Sequence, residues 1–458
     1  MTSSSPPGDP RGGLYQRDFP PEAFAARRAK LFDAIGPGAS AVLQGAGPTR
    51  GFGLFRQTNQ FYYCCGIEVP QAYLLLDGSA RRTTLYLPHR EEGRENEGAA
   101  LAAEDADLIE RLAGLDGVFG VERLSRDLEG VTVLYTPHRP GEGALASRDN
   151  LTHADKAVAA DPWGARATRE ERFIDLLKKR HPQIEVRDLS PTIDALRAVK
   201  GLREIDLCRE AGRLSALAIN EAIRSTAPGV CEYQLAAVAD YVYLVHGARG
   251  EGYRPIVAGG ANAWFGHYCR NDCPLNDGDL VLMDAAPDYH YYTSDIGRMW
   301  PVNGRYAPWQ RELYGFMVEY HKVLLARIRP GVTAEEIHQD AAAEMAKVVD
   351  GTAFSKEIYE SAARRALEFK GHLSHPVGMA VHDVGGYRSS PLRPGVVFTV
   401  DPQMRVPEER LYIRVEDTVV VTQEGIENLT SLAPLELDDV EALMRDRSPL
   451  PRPVPPAT

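Results

Sequence analysis

The 458-residue sequence contains no apolar run long enough to cross a bilayer, and its start, MTSSSPPGDPRGG, lacks the apolar segment of a signal peptide. These absences predict a cytoplasmic protein with no membrane partner. Basic residues are not in excess either, since 52 Lys and Arg face 64 Asp and Glu, a formal net charge of −12. Because phosphate binding requires a basic face, the charge argues against nucleic acid as the main partner.

Cysteine is scarce for a chain of this length. The six cysteines include the adjacent pair Cys64 and Cys65, which is not the pattern of a disulfide framework. Cys269 and Cys273 lie close in sequence, but no second Cys or Cys/His pair stands at zinc-site spacing to complete a tetrahedral cage. We therefore expect reduced, partly buried thiols.

Several catalytic motifs are also missing from the sequence. There is no G-x-S-x-G, no G-x-x-x-x-G-K-[ST] and no H-E-x-x-H, and the glycines of VAGGANAWFGHY do not follow the dinucleotide-binding fingerprint. These absences leave acid- and histidine-based chemistry to consider.

The length predicts two domains. Pro-, Ser- and Gly-rich tails at 1–20 and 446–458 would flank an N-terminal domain at 21–198 and a second domain at 199–445.

Local patterns predict elements within each domain. PPEAFAARRAKLFDAI and REIDLCREAGRLSALAINEAIRS have helical periodicity, AYLLLDG and TTLYLPHR are typical of strands, and HADKAVAADPWG is typical of a loop. The aromatic cluster Phe61, Tyr62 and Tyr63 has two interpretations, a strand packed in its own core or a subunit interface.

Two aspartates stand at the ends of a predicted hairpin in LMDAAPDYHYYTSDIGRM. Asp284 and Asp295 are eleven residues apart, and this odd spacing permits them to oppose each other on one face of an antiparallel pair. The same holds for Asp401, at the end of the predicted strand VVFTVDP, and Glu416, in the predicted strand YIRVEDTVVVT. These two acids are fifteen residues apart across the predicted loop QMRVPEER. Two ionised acids so close repel each other, and desolvation adds to the cost. A positively charged group should therefore lie between them.

Histidines lie between the two acid pairs. GHLSHPVGMAVHDVGG contains His372, His375 and His382, in a chain with only 12 histidines. Four acids and an imidazole describe a site for one or two divalent metal ions. For either hairpin alone, a buried acid hydrogen-bonded to backbone or paired with Arg298 or Arg414 is an equally simple explanation.

These segments resemble a known family, the metallopeptidases of pita-bread fold that include aminopeptidase P, prolidase and methionine aminopeptidase. The resemblance covers nearly all of the chain, is closest to the proline-specific branch, and rests on FRQTNQFYYCCGIEVPQAYLLLD, GDLVLMDAAPDYHYYTSDIGRMWPVNG, HLSHPVGMAVHDVGGY and YIRVEDTVVVTQEGIENLT. It implies an α+β fold class, with a pita-bread (creatinase/aminopeptidase-like) catalytic domain preceded by a smaller α/β N-terminal domain.

Carried over by position, the resemblance implies five metal ligands. Asp284 would bind one divalent ion and His375 a second, Asp295 and Glu416 would bridge the two, and Asp401 would fill the remaining terminal position. Manganese is the metal that the resemblance favours, with cobalt or zinc as alternatives.

The resemblance also implies roles for residues that do not bind metal. His267 and His382 match histidines that contact the substrate and the developing oxyanion. Arg414 would contact the metal-binding acids without binding metal itself. A hydroxide shared by the two ions would attack the carbonyl before proline, and Asp401 would pass its proton to the leaving nitrogen.

The implied function is that of a dinuclear metal-dependent exopeptidase that hydrolyses the Xaa-Pro bond, as an aminopeptidase P or an Xaa-Pro dipeptidase. Its substrate would be a peptide or dipeptide with proline at the second position, and the protein would form a homodimer or homotetramer. Two alternatives stay open: a pita-bread protein that has become a binding module, and a metal-dependent hydrolase of a non-peptide substrate.

The chain departs from the family pattern at several places. The family has Glu-Pro-Gly where this chain has Asp401-Pro402-Gln403, so the carboxylate is shorter by one methylene, roughly 1.5 Å. Gly297 replaces the threonine that usually follows Asp-Ile. A shorter acid needs a closer backbone, or it binds the second metal more weakly.

Overall fold

The computed structural model describes residues 15–49, 53–91 and 100–446. The chain divides into two compact units, Met1–Arg197 and Ala198–Thr458.

Of the two predicted tails, 1–20 and 446–458, all but the innermost residues lie outside the described part of the chain. The predicted domain limits, 21–198 and 199–445, stay predictions.

The first unit is built on a mixed six-stranded sheet. Its spatial order is β4-β3-β2-β1-β5-β6, in which β1, β2 and β3 are antiparallel neighbours and the pairs β3–β4, β1–β5 and β5–β6 are parallel. The strands are β1 Ser40–Gln44, β2 Tyr73–Asp77, β3 Arg82–Leu87, β4 Gly117–Gly120, β5 Val133–Thr136 and β6 Glu185–Asp188. The predicted strands AYLLLDG and TTLYLPHR are thus confirmed as β2 and β3.

Seven described α-helices accompany this sheet: α1 Pro21–Ile35, α2 Asn59–Cys65, α3 Ala106–Ala113, α4 Leu124–Asp127, α5 Arg148–Ala159, α6 Arg169–Arg180 and α7 Ser190–Ala198. Helix α1 matches the predicted periodicity: Phe24, Leu31 and Ile35 are buried on one face, and Pro21 occupies the first turn, where a missing N–H costs nothing. Helix α6 begins at a capping box of Thr168 and Glu171.

Two predictions for the first unit were wrong. HADKAVAADPWG was predicted as a loop, but its first seven residues belong to helix α5. None of the α5 side chains is buried, so the helix lacks the apolar face that a periodicity search detects, and helix-favouring residues form it instead.

Phe61, Tyr62 and Tyr63 are core residues, but they belong to helix α2 rather than to a strand. All seven residues of α2 are buried, and a short segment that is buried on every side has no periodicity to distinguish it from a buried strand.

The second unit is built on an antiparallel sheet. Its order is β10-β11-β14-β9-β8-β7, with β15 paired to β14, and a separate two-stranded ribbon is formed by β12 and β13. The strands are β7 Ile256–Gly259, β8 Leu280–Asp284, β9 Ile296–Pro301, β10 Leu373–Pro376, β11 Val397–Val400, β12 Gln403–Val406, β13 Leu411–Arg414, β14 Glu416–Val421 and β15 Ile426–Asn428.

The α-helices of this unit are α8 Leu202–Ser225, α9 Glu232–Val245, α10 Pro308–Leu325, α11 Ala334–Gly351, α12 Glu357–Glu368 and α13 Leu437–Arg445. Helix α8 confirms the predicted apolar stripe, although Ile205 is only half-buried. Its first turn is closed by the Glu204 carboxylate, which accepts the Gly201 N–H at 3.0 Å. At the centre of the core, Trp300 is fully buried, and its indole N–H donates to Thr226 at 2.8 Å.

The segment YIRVEDTVVVT was predicted as one strand but forms two. β13 ends at Arg414, β14 begins at Glu416, and the two strands belong to different sheets. The preceding QMRVPEER was predicted as a loop, yet its first four residues form β12, in which Gln403 pairs with Arg414. The ribbon therefore turns Gln403 and Arg414 toward the acids of the main sheet.

All six cysteines are free thiols, four of them buried, as expected. Among the described residues, no helix is both long enough and apolar enough to cross a membrane.

Candidate metal centre

The predicted acids come from neighbouring strands of the second unit. Asp284, the last residue of β8, lies opposite Gly297 of β9, and Gly297 lies opposite Glu416 of β14. The register of β11 with β14, continued by one residue, places Asp401 beside Glu416. Residues directly opposite each other share a face of a sheet. Three acids therefore lie in one row across four strands.

The predicted register of the first hairpin is wrong in one respect. Asp284 does not oppose Asp295, because its partner is Gly297. Asp295 lies two residues earlier on the same face, a diagonal neighbour of Asp284. The connection is not a tight turn: it contains an isolated bridge and two residues with positive φ, His290 at 50° and Tyr291 at 73°. Odd spacing selects a face of the sheet, but the geometry of the turn selects the partner.

One imidazole and two carboxylates converge above this row. The ligand atoms of Asp295, His375 and Glu416 all lie within 4.8 Å of one another. The His375 Nε2 is 3.3 Å from Asp295 Oδ2 and 4.0 Å from Glu416 Oε1. Two oxygens and one nitrogen at these distances can hold a divalent ion.

Two features of these residues fit a cation between them. The Oε1 atom of Glu416 is buried and has no hydrogen-bond partner among the described residues. The Nδ1 of His375 is 3.3 Å from the Pro376 carbonyl, which can only accept, so Nδ1 carries a hydrogen and Nε2 is the ring nitrogen that faces the carboxylates.

Arg414 is the basic residue that approaches three of the acids. Its Nη1 is 3.1 Å from Asp284, its Nε is 3.1 Å from Asp401, and its Nη2 bonds to Glu416. The pairing that we considered for either hairpin alone is therefore present for Arg414. One guanidinium still leaves most of the charge of four buried carboxylates uncompensated, which favours additional cations.

The pKa values of the acids reflect this crowding. Burial raises the pKa of Asp284 well above its usual range, and the charge of Asp295 raises it further. Burial likewise raises the pKa of Asp401. Burial works in the same direction on Asp295, but His375 and Arg414 outweigh it and lower the pKa of Asp295 to about 2. Of Asp284, Asp295 and Asp401, Asp295 thus stays ionised most readily.

Tyr253 is a site residue that the sequence did not reveal. Its hydroxyl oxygen is 2.5 Å from Asp284 Oδ1 and 2.7 Å from Asp295 Oδ1. A hydroxyl has a single hydrogen, so these contacts bring two carboxylate oxygens together around one proton. Tyr253 precedes β7 by three residues and belongs to no motif, so no spacing signal pointed to it.

The predicted histidines are brought together beside the acids. The ring centroids of His375 and His382 are 4.2 Å apart, and those of His267 and His382 are 6.2 Å apart. His372 is separate from them: it is fully buried, its Nε2 is 2.7 Å from the Ala366 carbonyl, and burial lowers its pKa to about 4. These contacts are those of a buried residue that stabilises the fold.

Glu232 is a second residue that the sequence analysis missed. It is the first residue of α9 and is fully buried, close to Asp272 and Cys273. Its Oε1 accepts the Gly259 N–H at 2.8 Å and the Asn262 side chain at 2.9 Å. Its Oε2 accepts the Cys273 N–H and the Tyr268 hydroxyl, both at 3.0 Å. Four donors satisfy this carboxylate, which explains its burial without a metal ion.

We expect Glu232→Gln to lower the free energy of unfolding by about 1.5–3 kcal/mol, because the new amide hydrogens would face donors that lose their acceptor. Chemical denaturation measures the change. Glu357→Gln is the matched control, since Glu357 is also the first residue of its helix but is exposed. Equal losses in both variants would assign the effect to the helix terminus rather than to the four hydrogen bonds.

Comparison with known proteins identifies the family. Residues 206–423 match metallopeptidase family M24, and residues 24–132 match the aminopeptidase P N-terminal domain. The Xaa-Pro aminopeptidase of Escherichia coli K12 is 32% identical over 449 residues, which cover 92% of this chain and 97% of that protein. The chain belongs to metallopeptidase family M24.

Solved structures agree with this assignment. Aminopeptidase P from E. coli with the inhibitor Pro-Leu matches the M24 chain with a TM-score of 0.75 and 29% identity, covering 93% of this chain and 98% of that one. Zinc-substituted E. coli aminopeptidase P in complex with product matches with a TM-score of 0.74 and 28% identity over the same shares.

The predicted fold class is confirmed, a pita-bread domain preceded by an aminopeptidase P-type N-terminal domain. The M24 chain is a metallo-aminopeptidase, a hydrolase that uses divalent metal ions.

Proposed function

We propose that this enzyme removes the N-terminal residue from peptides whose second residue is proline, and that it uses two divalent metal ions. The observation that carries the proposal is the convergence of Asp295, His375 and the orphaned Glu416 Oε1. The similarity to proteins named Xaa-Pro aminopeptidase supports the substrate class.

Five side chains would hold the metal ions. Asp284 and His375 would each bind one ion, Asp295 and Glu416 would bridge the two, and Asp401 would complete the second position. Manganese is the proposed native metal, and cobalt or zinc would replace it. When bound, the ions would acidify a water molecule and polarise the scissile carbonyl.

The remaining chemistry belongs to the side chains of this chain. Asp401, which is buried beside Arg414, accepts the proton that the attacking water loses and delivers it to the leaving proline nitrogen. His382 lies beside His375 and can donate a ring N–H to the oxygen that gains charge. The His267 ring lies 6.2 Å from that of His382 and is exposed, so it can contact the incoming peptide.

Metal removal tests the metal requirement. We expect dialysis against a chelator to lower kcat/KM for an Xaa-Pro-Yaa tripeptide by about a thousandfold, because several kcal/mol of transition-state stabilisation are lost. Adding back manganese, cobalt or zinc should restore activity at two ions per chain, as measured by elemental analysis. Full activity in the metal-free protein would refute the proposal.

A substrate panel tests specificity. Xaa-Ala-Yaa serves as the control peptide, and Xaa-Pro dipeptides separate an aminopeptidase from a dipeptidase. Failure to cleave any Xaa-Pro peptide with any of the three metals would leave a hydrolase of another substrate. The predicted homodimer or homotetramer is measured on the same samples by light scattering.

A further inference from the structure

Asp401 is contacted by a side chain that the family pattern does not contain. Gln403 stands where the family has glycine, and its Nε2 donates to Asp401 Oδ2 at 3.1 Å. The other oxygen of the same carboxylate, Oδ1, accepts from Arg414 Nε at 3.1 Å. Both oxygens of the shortened acid are therefore held by donors.

The Gln403 amide is itself oriented by a third residue. The Tyr412 hydroxyl donates to Gln403 Oε1 at 3.1 Å. A carboxylate can only accept hydrogen bonds, so the amide NH₂ must face Asp401 and the amide oxygen must face the tyrosine. Tyr412 is 4% exposed, and burial raises its pKa to about 12, so it keeps the hydrogen that it donates.

The β12–β13 ribbon explains why these side chains meet. Gln403 pairs with Arg414, and Tyr412 lies two residues before Arg414 on the same strand. Residues two apart on a strand share a face. The ribbon thus presents Tyr412, Gln403 and Arg414 together to Asp401, which lies two residues before Gln403.

The two residues that differ from the family's Glu-Pro-Gly, Asp401 and Gln403, are therefore in direct contact with each other. An aspartate is roughly 1.5 Å shorter than a glutamate, and a glycine leaves the space that a glutamine fills. Glutamate at position 401 would extend its carboxyl group into the space of the Gln403 amide. We therefore expect positions 401 and 403 to work best as Asp with Gln or as Glu with Gly.

We propose that Gln403 is a positioning residue that compensates for the shortened acid. Oriented by Tyr412, it holds the Asp401 carboxylate so that Asp401 can bind the second metal ion and transfer the proton. This inference rests on the proposed function of Asp401. In this role Gln403 acts through Asp401, to which its amide donates.

A double-mutant cycle tests the proposal. We expect Gln403→Gly to weaken the binding of the second manganese ion by about 10- to 100-fold, the usual effect of losing a partner of a metal ligand. Asp401→Glu should weaken it similarly, and the double variant should return to within about threefold of wild type. Metal binding is measured by calorimetry on the metal-free protein, and kcat and KM are measured separately.

Further variants separate positioning from packing. Gln403→Leu keeps the side-chain volume but removes the hydrogen bonds, and we expect it to weaken metal binding as Gln403→Gly does. Tyr412→Phe should have an effect of about threefold when Gln403 is present and none in the Gln403→Leu background. Gln339→Leu is the matched control, because Gln339 donates to Glu335 at 2.7 Å on the exposed face of α11.

The outcomes are distinct. Independent, multiplicative effects of Gln403→Gly and Asp401→Glu would overturn the positioning role, as would a Gln403→Leu isotherm equal to that of Gln339→Leu. With either of these results, the proposed function still stands if the wild-type protein binds metal and cleaves Xaa-Pro peptides. A wild-type protein without metal-dependent cleavage overturns both.

Discussion

Asp295→Asn is expected to lower kcat/KM for an Xaa-Pro-Yaa peptide by at least about a thousandfold and to reduce the metal content from two ions to one or none. Asp295 is the carboxylate that both His375 and Tyr253 approach, at 3.3 and 2.7 Å, and its low pKa keeps it ionised. The asparagine amide has the same shape but no negative charge to offset two cations. Its oxygen can bind a metal ion, but its NH₂ group is a hydrogen-bond donor and cannot.

The control for this prediction is Asp277→Asn, which makes the same chemical change in the exposed turn before β8. We expect this control to keep its metal content and its activity within about twofold of wild type. Elemental analysis of purified, metal-supplemented protein gives the content, and circular dichroism checks the fold. Two bound ions in Asp295→Asn, with near-normal turnover, would contradict the bridging role.

Asp417→Ala is expected to produce the largest loss of stability, about 3–5 kcal/mol, which is the usual cost of breaking a buried ion pair. Asp417 is fully buried and lies 2.7 Å from Arg298 Nη2, which is itself 1% exposed. The His321 Nε2 lies 2.7 Å from its other oxygen. Burial would raise the pKa of Asp417, but Arg298 and His321 outweigh it and hold the pKa below its usual range. Removal leaves an uncompensated guanidinium in the core.

Asp438→Ala is the matched control, because it also breaks an Asp–Arg pair in the second unit, with Arg311 at 2.8 Å, but at an exposed position. An exposed pair contributes about 0–1 kcal/mol. Urea denaturation followed by tryptophan fluorescence measures both variants. A loss of less than about 1 kcal/mol in Asp417→Ala would mean that the buried pair does not hold this region together.

Glu416 and Asp417 show why neighbouring acids can have different fates. They are adjacent on β14, and successive residues of a strand point to opposite faces. Glu416 faces the candidate metal centre with an unpaired oxygen, whereas Asp417 faces the core, where Arg298 satisfies it. We therefore expect substitutions on the face of the candidate metal centre to lower activity, and substitutions on the core face to lower stability.

The sequence analysis predicted the family, the fold class and the pairing of β8 with β9, because these follow from local patterns and motif order. It missed helix α5, since a helix without a buried face carries no periodic signal. It also missed the β12–β13 ribbon, whose strands are only four residues each. Short strands are defined by their partners more than by their own composition.

Sequence alone determined the order of the acids and histidines and the motifs that contain them, and therefore the type of chemistry. Only the tertiary structure decided that Asp284 opposes Gly297, that Tyr253 and Arg414 both contact Asp284, and that Gln403 donates to Asp401. The physical reason is that sheet register and side-chain contacts arise from packing between segments far apart in the chain. No local spacing encodes that packing.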